Sequence, residues 1–232
     1  MVLIPKTILI ETSSACNRAC SFCLHAKEKV VQEFLPRSII NKLLVALPTD
    51  FRGRISFHGI NEPLLDPSLL DTISEFRSTY RGAYLSLNTN GDTLNAISVA
   101  LFRDAGLNKL NFSVYDAPGL TKFIALTKAF PTFVERSPFV YENRAGYFTD
   151  DTPVEAPCRR PSTGMQIKSS GKVVLCCSDM KSEVILGDLS QDSLLDIFNS
   201  DRYQSIANKL TTTRLGVKPC QGCSYSGMPY GR

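Results

Sequence analysis

From Thr7 to about residue 135 the chain alternates short apolar runs with amphipathic stretches, and this alternation limits it to few architectures. The candidate strands are Thr7–Thr12, Arg54–Gly59, Ala83–Thr89 and Lys109–Tyr115. Each is rich in Ile, Leu, Phe or Val and ends at a polar or Gly-containing turn. Between them, Ile39, Ile40, Leu43, Leu44 and Leu47 recur at helical spacing behind Pro36, and Leu69, Leu70, Ile73 and Phe76 follow Pro67. Ile97, Leu101 and Phe102 precede Gly106, a C-terminal stop, and Phe123, Ile124, Leu126, Thr127 and Phe130 form a fourth helix. Strands alternating with helices predict a parallel sheet with right-handed crossovers. A further strand at Thr132–Pro138 or Phe139–Asn143 brings the count to five or six. That is too few for a closed eightfold barrel, which needs about 250 residues. The expected fold class is α/β, a partial, open β/α barrel, with ligands at the C-terminal strand ends.

The eight cysteines fall on this frame in two groups. Cys16, Cys20 and Cys23 follow the first strand, in Cys-Asn-Arg-Ala-Cys-Ser-Phe-Cys. Three thiolates on one loop suit three irons of a [4Fe–4S] cluster and leave the fourth iron open. Zinc is the rival; it wants four ligands, and His25 stands near enough in sequence to be one. Cys158, Cys176, Cys177, Cys220 and Cys223 lie in the last third, after 134 residues without a cysteine. The net charge of +4 and the lack of a long Lys/Arg run argue against a nucleic-acid partner. No stretch reaches the ~18 apolar residues of a membrane span. The opening run, broken by Pro5 and Lys6, reads as a strand rather than a signal peptide. A cytoplasmic location follows, where thiols stay reduced and serve metals rather than disulfides.

Three units are expected: a barrel over residues 1–143, a linker over 144–157 and a C-terminal unit over 158–232. The linker is rich in turn formers and acids (Gly146, Asp150, Asp151, Pro153, Pro157). In the C-terminal unit Met165–Lys168, Ser169-Ser170-Gly171 and Lys172–Cys176 read as a β-hairpin. Ser193 to Leu210 reads as one long amphipathic helix with Ser193 as N-cap, ahead of Cys220-Gln-Gly-Cys223.

With Phe22 before its last cysteine, the triplet resembles the signature of the radical S-adenosylmethionine (SAM) superfamily. Three later strand ends are similar to the family's SAM-site motifs. His58-Gly59-Ile60-Asn61-Glu62-Pro63 matches the Gly-Gly-Glu type, with Asn61 where the family has Gly; the others are Asn88-Thr89-Asn90-Gly91 and Ser113-Val114-Tyr115-Asp116. Taken singly, each is ordinary turn composition. The resemblance implies SAM as cofactor, contacted by Phe22, Gly59, Asn61, Glu62, Asn88, Asn90 and Ser113. It also implies reductive cleavage of SAM to a 5′-deoxyadenosyl radical that takes a hydrogen atom from the substrate, with a reductant such as flavodoxin or ferredoxin.

The C-terminal cysteines resemble the family's auxiliary-cluster extensions, SPASM and the shorter Twitch. Their count implies a second [4Fe–4S] cluster on Cys158, Cys176, Cys220 and Cys223. Cys177 is left over as a small buried hydrophobe, a hydrogen-atom donor, or a substitute for Cys176. Arg144, beside Asn143, is a candidate for a polar or anionic substrate group. His58 is a candidate substrate contact or base, and Arg18 a structural or charge-tuning residue. The layout is similar to the Twitch-type amino-cyclitol dehydrogenases. This implies dehydrogenation of a small polar substrate, a sugar or cyclitol, with the auxiliary cluster taking an electron. The alternatives are a peptide-modifying maturase (crosslink, thioether or epimerisation) and a non-catalytic iron–sulfur or zinc protein. Only 15 residues precede Cys16, leaving no room there for a leader-peptide module.

Overall fold

The computed structural model describes residues 2–137, 142–148 and 152–230. The alternation folds as expected: β1 (Thr7–Ile10), α1 (Arg37–Leu44), β2 (Arg54–Phe57), α2 (Leu69–Thr79), β3 (Tyr84–Thr89), α3 (Ala96–Asp104), β4 (Lys109–Phe112), α4 (Ala117–Ala129) and β5 (Val134–Arg136). The alternative strand at Phe139–Asn143 falls largely outside the described residues. The C-terminal part adds α5 (Arg160–Thr163), β6 (Gly164–Ile167), β7 (Lys172–Val174), β8 (Ile185–Asp188), α6 (Leu194–Asn199) and α7 (Asp201–Leu210).

All eight strands form one sheet in the order β5-β4-β3-β2-β1-β6-β7-β8, open at both edges among the described residues. β1 to β6 run parallel, β7 is antiparallel to β6, and β8 is antiparallel to β7. The predicted hairpin is β6–β7, its turn closed by Gly171 at φ 81°. It is not a separate layer: Thr7–Ile10 pair with Gly164–Ile167, so the C-terminal unit extends the barrel's sheet beside β1. Short strands carry no signal of which distant strand they will pair with. β8 was not foreseen.

The sheet's helix-facing positions (Ile8, Ile10, Ile55, Phe57, Leu85, Leu110, Phe112) are buried in one cluster with Ile39, Leu43, Ile73 and Phe76 of α1 and α2. Each such side chain contributes about 1.5–3 kcal/mol. Two helical readings are corrected. In α3, Ile97 is 74% and Leu101 50% exposed, whereas Val99 and Phe102 are buried. Ala-Ile-Ser-Val-Ala-Leu-Phe is apolar nearly all round, so packing rather than pattern sets its phase. The long helix from Ser193 breaks at Ser200, whose extended backbone (ψ 147°) ends α6 and whose hydroxyl caps α7 by accepting from Tyr203 N. Ser193 caps α6 as expected, accepting from Asp196 N.

Candidate functional site

The cysteine triplet occupies the loop after β1, and all three thiols are partly accessible. Arg18 straps this loop to the ends of two strands. Its Nε donates to Asp92 Oδ2 (2.7 Å) after β3, and its Nη1 lies 2.8 Å from Asp116 Oδ2 after β4. Asn17 Nδ2 also donates to Asp92 (2.8 Å), and Asn90 Nδ2 donates to Asn17 (2.8 Å). The Arg18 guanidinium holds the Asp92 carboxyl below its ordinary range. Such part-exposed pairs give only about 0–1 kcal/mol each, so their effect is to fix where the thiols stand. The Phe22 ring packs 5.5 Å from that of Tyr115. His25 Nε2 lies 3.0 Å from Ile60 O, a backbone partner that fixes the ring against the strand-two end.

The strand ends brace one another. Ile60 N donates to Glu11 Oε2 (2.7 Å), and Gly59 N donates to Asn61 Oδ1 (2.8 Å). A Cβ on Gly59 would stand 2.2 Å from Glu11 Oε2, so only glycine permits this approach. Glu62 is 2% exposed and accepts from Thr89 Oγ1 (2.6 Å), Asn90 N (2.7 Å) and Leu64 N (3.1 Å). Burial nevertheless pushes its carboxyl above the usual range. Asn88 accepts from Asn111 Nδ2 (2.8 Å), and Ser113 N donates to Thr89 O (2.8 Å). His58 Nδ1 lies 2.9 Å from Ser56 Oγ, and burial, helped by the Arg54 charge, pushes its pKa down to about 4. The imidazole is therefore neutral near pH 7.

A single cavity of about 330 Å³ gathers these residues. Cys16, Cys20, Phe22, Cys23, His58, Gly59, Asn61, Glu62, Asn88, Asn90 and Ser113 border it from the barrel, and Arg144 and Cys177 from the C-terminal side. Glu142, Arg160 and Met180 join that second wall, although the sequence reading passed over them. Glu142 Oε1 accepts from Arg144 Nη1 (2.7 Å) and Ser178 Oγ (2.6 Å), and Arg160 Nη1 lies 3.7 Å from Glu142 Oε2. The Arg160 guanidinium stacks 3.3 Å from the Tyr225 ring centroid. One signal for Glu142 was available: an acid two residues from Arg144 in a polar run. Arg160 had none, because its partners come from Glu142, Ser178 and Tyr225.

Cys158, Cys220 and Cys223 are buried and Cys176 is half-buried. Cys220 lies within electrostatic reach of Cys158 and Cys223, and Cys176 within reach of Cys220. Cys176 also lies within reach of its neighbour Cys177, which borders the cavity. All eight cysteines are free thiols. Among the described residues no three His, Cys, Asp or Glu side chains converge on one metal-ion position. A single zinc ion needs such convergence, whereas a four-iron cluster spreads its thiolates over separate irons. The donor sets fit two clusters: three thiols bordering a cavity, and a second group in which Cys158, Cys220 and Cys223 are buried.

Residues 10–123 match the Radical SAM superfamily profile, and residues 158–224 match SPASM, an iron–sulfur cluster-binding domain. The chain belongs to the radical SAM superfamily. It is similar to the S-adenosyl-L-methionine-dependent 2-deoxy-scyllo-inosamine dehydrogenase of Niallia circulans, at 26% identity over 94% of this chain and 92% of that protein. A GTP 3′,8-cyclase of Chlorobaculum tepidum is 31% identical over 52% of this chain and 36% of its own length. Among solved structures, BtrN in complex with AdoMet and 2-DOIA superposes with a TM-score of 0.87 at 25% identity, covering 97% of this chain and 95% of that one. The protein anSMEcpe, with bound AdoMet, superposes with a TM-score of 0.60 at 14% identity, covering 90% and 84%. As a radical SAM oxidoreductase with a SPASM domain, the chain uses SAM and two iron–sulfur clusters. No helix among the described residues is long and apolar enough to cross a membrane.

Proposed function

We propose that this enzyme dehydrogenates a secondary alcohol of a small polar substrate, a cyclitol or sugar of the aminocyclitol kind. The carrying observation is the one cavity with two walls: the triplet and strand-end residues on one side, and Glu142, Arg144, Arg160 and Cys177 on the other. In this reading Cys16, Cys20 and Cys23 hold the SAM-binding cluster, and Cys158, Cys176, Cys220 and Cys223 hold the auxiliary cluster. When bound, SAM and the clusters supply hydrogen-atom abstraction and a one-electron acceptor.

The chain's own residues bind and orient. Phe22, Gly59, Asn61, Glu62, Asn88, Asn90 and Ser113 form the SAM side. Glu62, a buried carboxylate held by three donors, suits a ligand ammonium. Arg144, oriented by Glu142, directs donors at a substrate oxygen and so favours loss of the hydroxyl proton. With Nδ1 engaged by Ser56, His58 has Nε2 left for the cavity. Cys177 brings a thiol to the same wall. The partner is a one-electron reductant of the flavodoxin or ferredoxin kind. Peptide-bound relatives superpose at only 13% identity, which speaks to fold and not to substrate.

The test is anaerobic turnover with SAM and dithionite on cyclitols and sugars deuterated at their carbinol carbons. The expected result is deuterium in 5′-deoxyadenosine and a matching amount of ketone. Release of 5′-deoxyadenosine without ketone, with solvent hydrogen replacing the deuterium at the product carbon, would replace dehydrogenation by epimerisation.

A further inference from the structure

Arg214, in the loop after α7, is a buried cation without an acid. It is 4% exposed, and among the described residues no carboxylate lies in ion-pair range. Its Nη1 donates to Cys223 O (3.0 Å) and its Nη2 to Tyr225 O (2.6 Å), while Nε, equally buried, has no hydrogen-bond partner. The Gly227 backbone packs close against it: a Cβ there would meet its Nη2 at 3.0 Å. Burying a lone cation is costly unless an anion compensates it. The thiols that feel its field are Cys220 and Cys223. Cys223 Sγ also accepts from Tyr225 N (3.4 Å), in the segment whose carbonyl Arg214 holds.

We infer that Arg214 is the fixed counter-charge of the auxiliary cluster, set there to ease its reduction. The inference rests on Cys220 and Cys223 being ligands of that cluster. A cluster on four thiolates is a net anion and gains one more negative charge when it accepts an electron, so a fixed cation beside it stabilises the reduced form most. The neighbouring Arg160 is a different case. Its charge also reaches Cys176 and Cys223, but it shares that charge with Glu142 and borders the cavity, whereas Arg214 does neither. Arg214 therefore acts on the acceptor without touching the substrate, and it makes the cluster a better sink for the electron the substrate must lose.

The experiment is a potentiometric titration followed by electron paramagnetic resonance. It uses the full chain with Cys16, Cys20 and Cys23 replaced by alanine, so that the auxiliary cluster alone reports. Arg214→Gln is expected to lower the equilibrium constant for one-electron reduction at least tenfold, a shift of about 59 mV to more negative potential. Arg214→Lys, which keeps the charge but not the fork of donors, is expected to stay within threefold of the parent. An unchanged potential in Arg214→Gln with full iron content overturns the inference. So does a fall of tenfold or more in Arg214→Lys, which would assign the effect to hydrogen bonds; that variant decides alone if Arg214→Gln does not assemble. A parent chain that takes up no auxiliary cluster overturns the ligand assignment itself, and this inference with it.

Discussion

Lys168→Met removes the cation paired with Glu11. Glu11 directly follows β1 and is 1% exposed. Its Oε2 accepts from Lys168 Nζ (2.6 Å), at the end of β6, and from Ile60 N (2.7 Å). One carboxylate thus ties the barrel's first strand to the C-terminal hairpin and to the Gly59–Glu62 segment. Methionine keeps the length of the side chain and deletes the charge, leaving a buried carboxylate with one backbone donor and a long contact to Ser169 Oγ (3.4 Å). Breaking one side of a buried pair costs about 3–5 kcal/mol, against a total stability of about 5–15 kcal/mol. For a chain of this size each kcal/mol lowers the melting temperature by about 2–4 °C, so a fall of roughly 6–20 °C is expected. Glu11→Gln/Lys168→Met removes both charges and is expected to recover most of the loss, because no charge remains unpaired. The assay is anaerobic thermal unfolding of the reconstituted protein at one fixed scan rate, so that any irreversible step weighs equally on every variant. A shift under about 2 °C in the single variant, or a double variant less stable than the single, would refute the reasoning.

Three further outcomes are expected. Cys176→Ala should lose about half the iron, one cluster of two, whereas Cys177→Ala should keep it all; iron analysis of the reconstituted variants decides, and equal losses would show that the two thiols substitute for one another. Gly59→Ala should slow 5′-deoxyadenosine formation without changing iron content, because its Cβ would stand 2.2 Å from Glu11 Oε2; turnover equal to the parent would mean the segment yields freely. His58, at about 4 against an ordinary 6.5, folds neutral while the unfolded chain takes a proton. Its contribution is full above pH 6.5 and is lost as pH falls toward 4. Melting temperatures of parent and His58→Asn should therefore converge from pH 6.5 to 5, and parallel curves count against the buried, neutral imidazole.

The strand ends show what a sequence can and cannot disclose. Thr7, Arg54 and Lys109 were read as first residues of strands and are so, but three of those strands stop two or three residues early, at Ile10, Phe57 and Phe112. The residues lost from them, such as His58, Gly59 and Ser113, are the ones that leave the ladder to border the cavity. Alternation marks where pairing is possible; the ligand side of the sheet begins where pairing stops, and no local pattern records that point. The phase of α3 and the break at Ser200 were missed for a related reason. Apolar side chains all round a helix leave its orientation to the surface it meets, and Asn199-Ser200-Asp201 suits a helix interior less than a new N-terminus.

By itself the sequence determined the chemistry of the chain: the spacing of Cys16, Cys20 and Cys23, four strand–helix repeats and a second cysteine group. Those features are local, and local features survive being read one residue after another. Only the tertiary structure decided that β6 joins the sheet beside β1, that Glu142 and Arg160 form the far wall of the cavity, and that Arg214 is sealed against the Cys220–Cys223 segment. Each depends on residues far apart in the chain, and their proximity is set by the packing of the whole sheet, which no stretch of sequence contains.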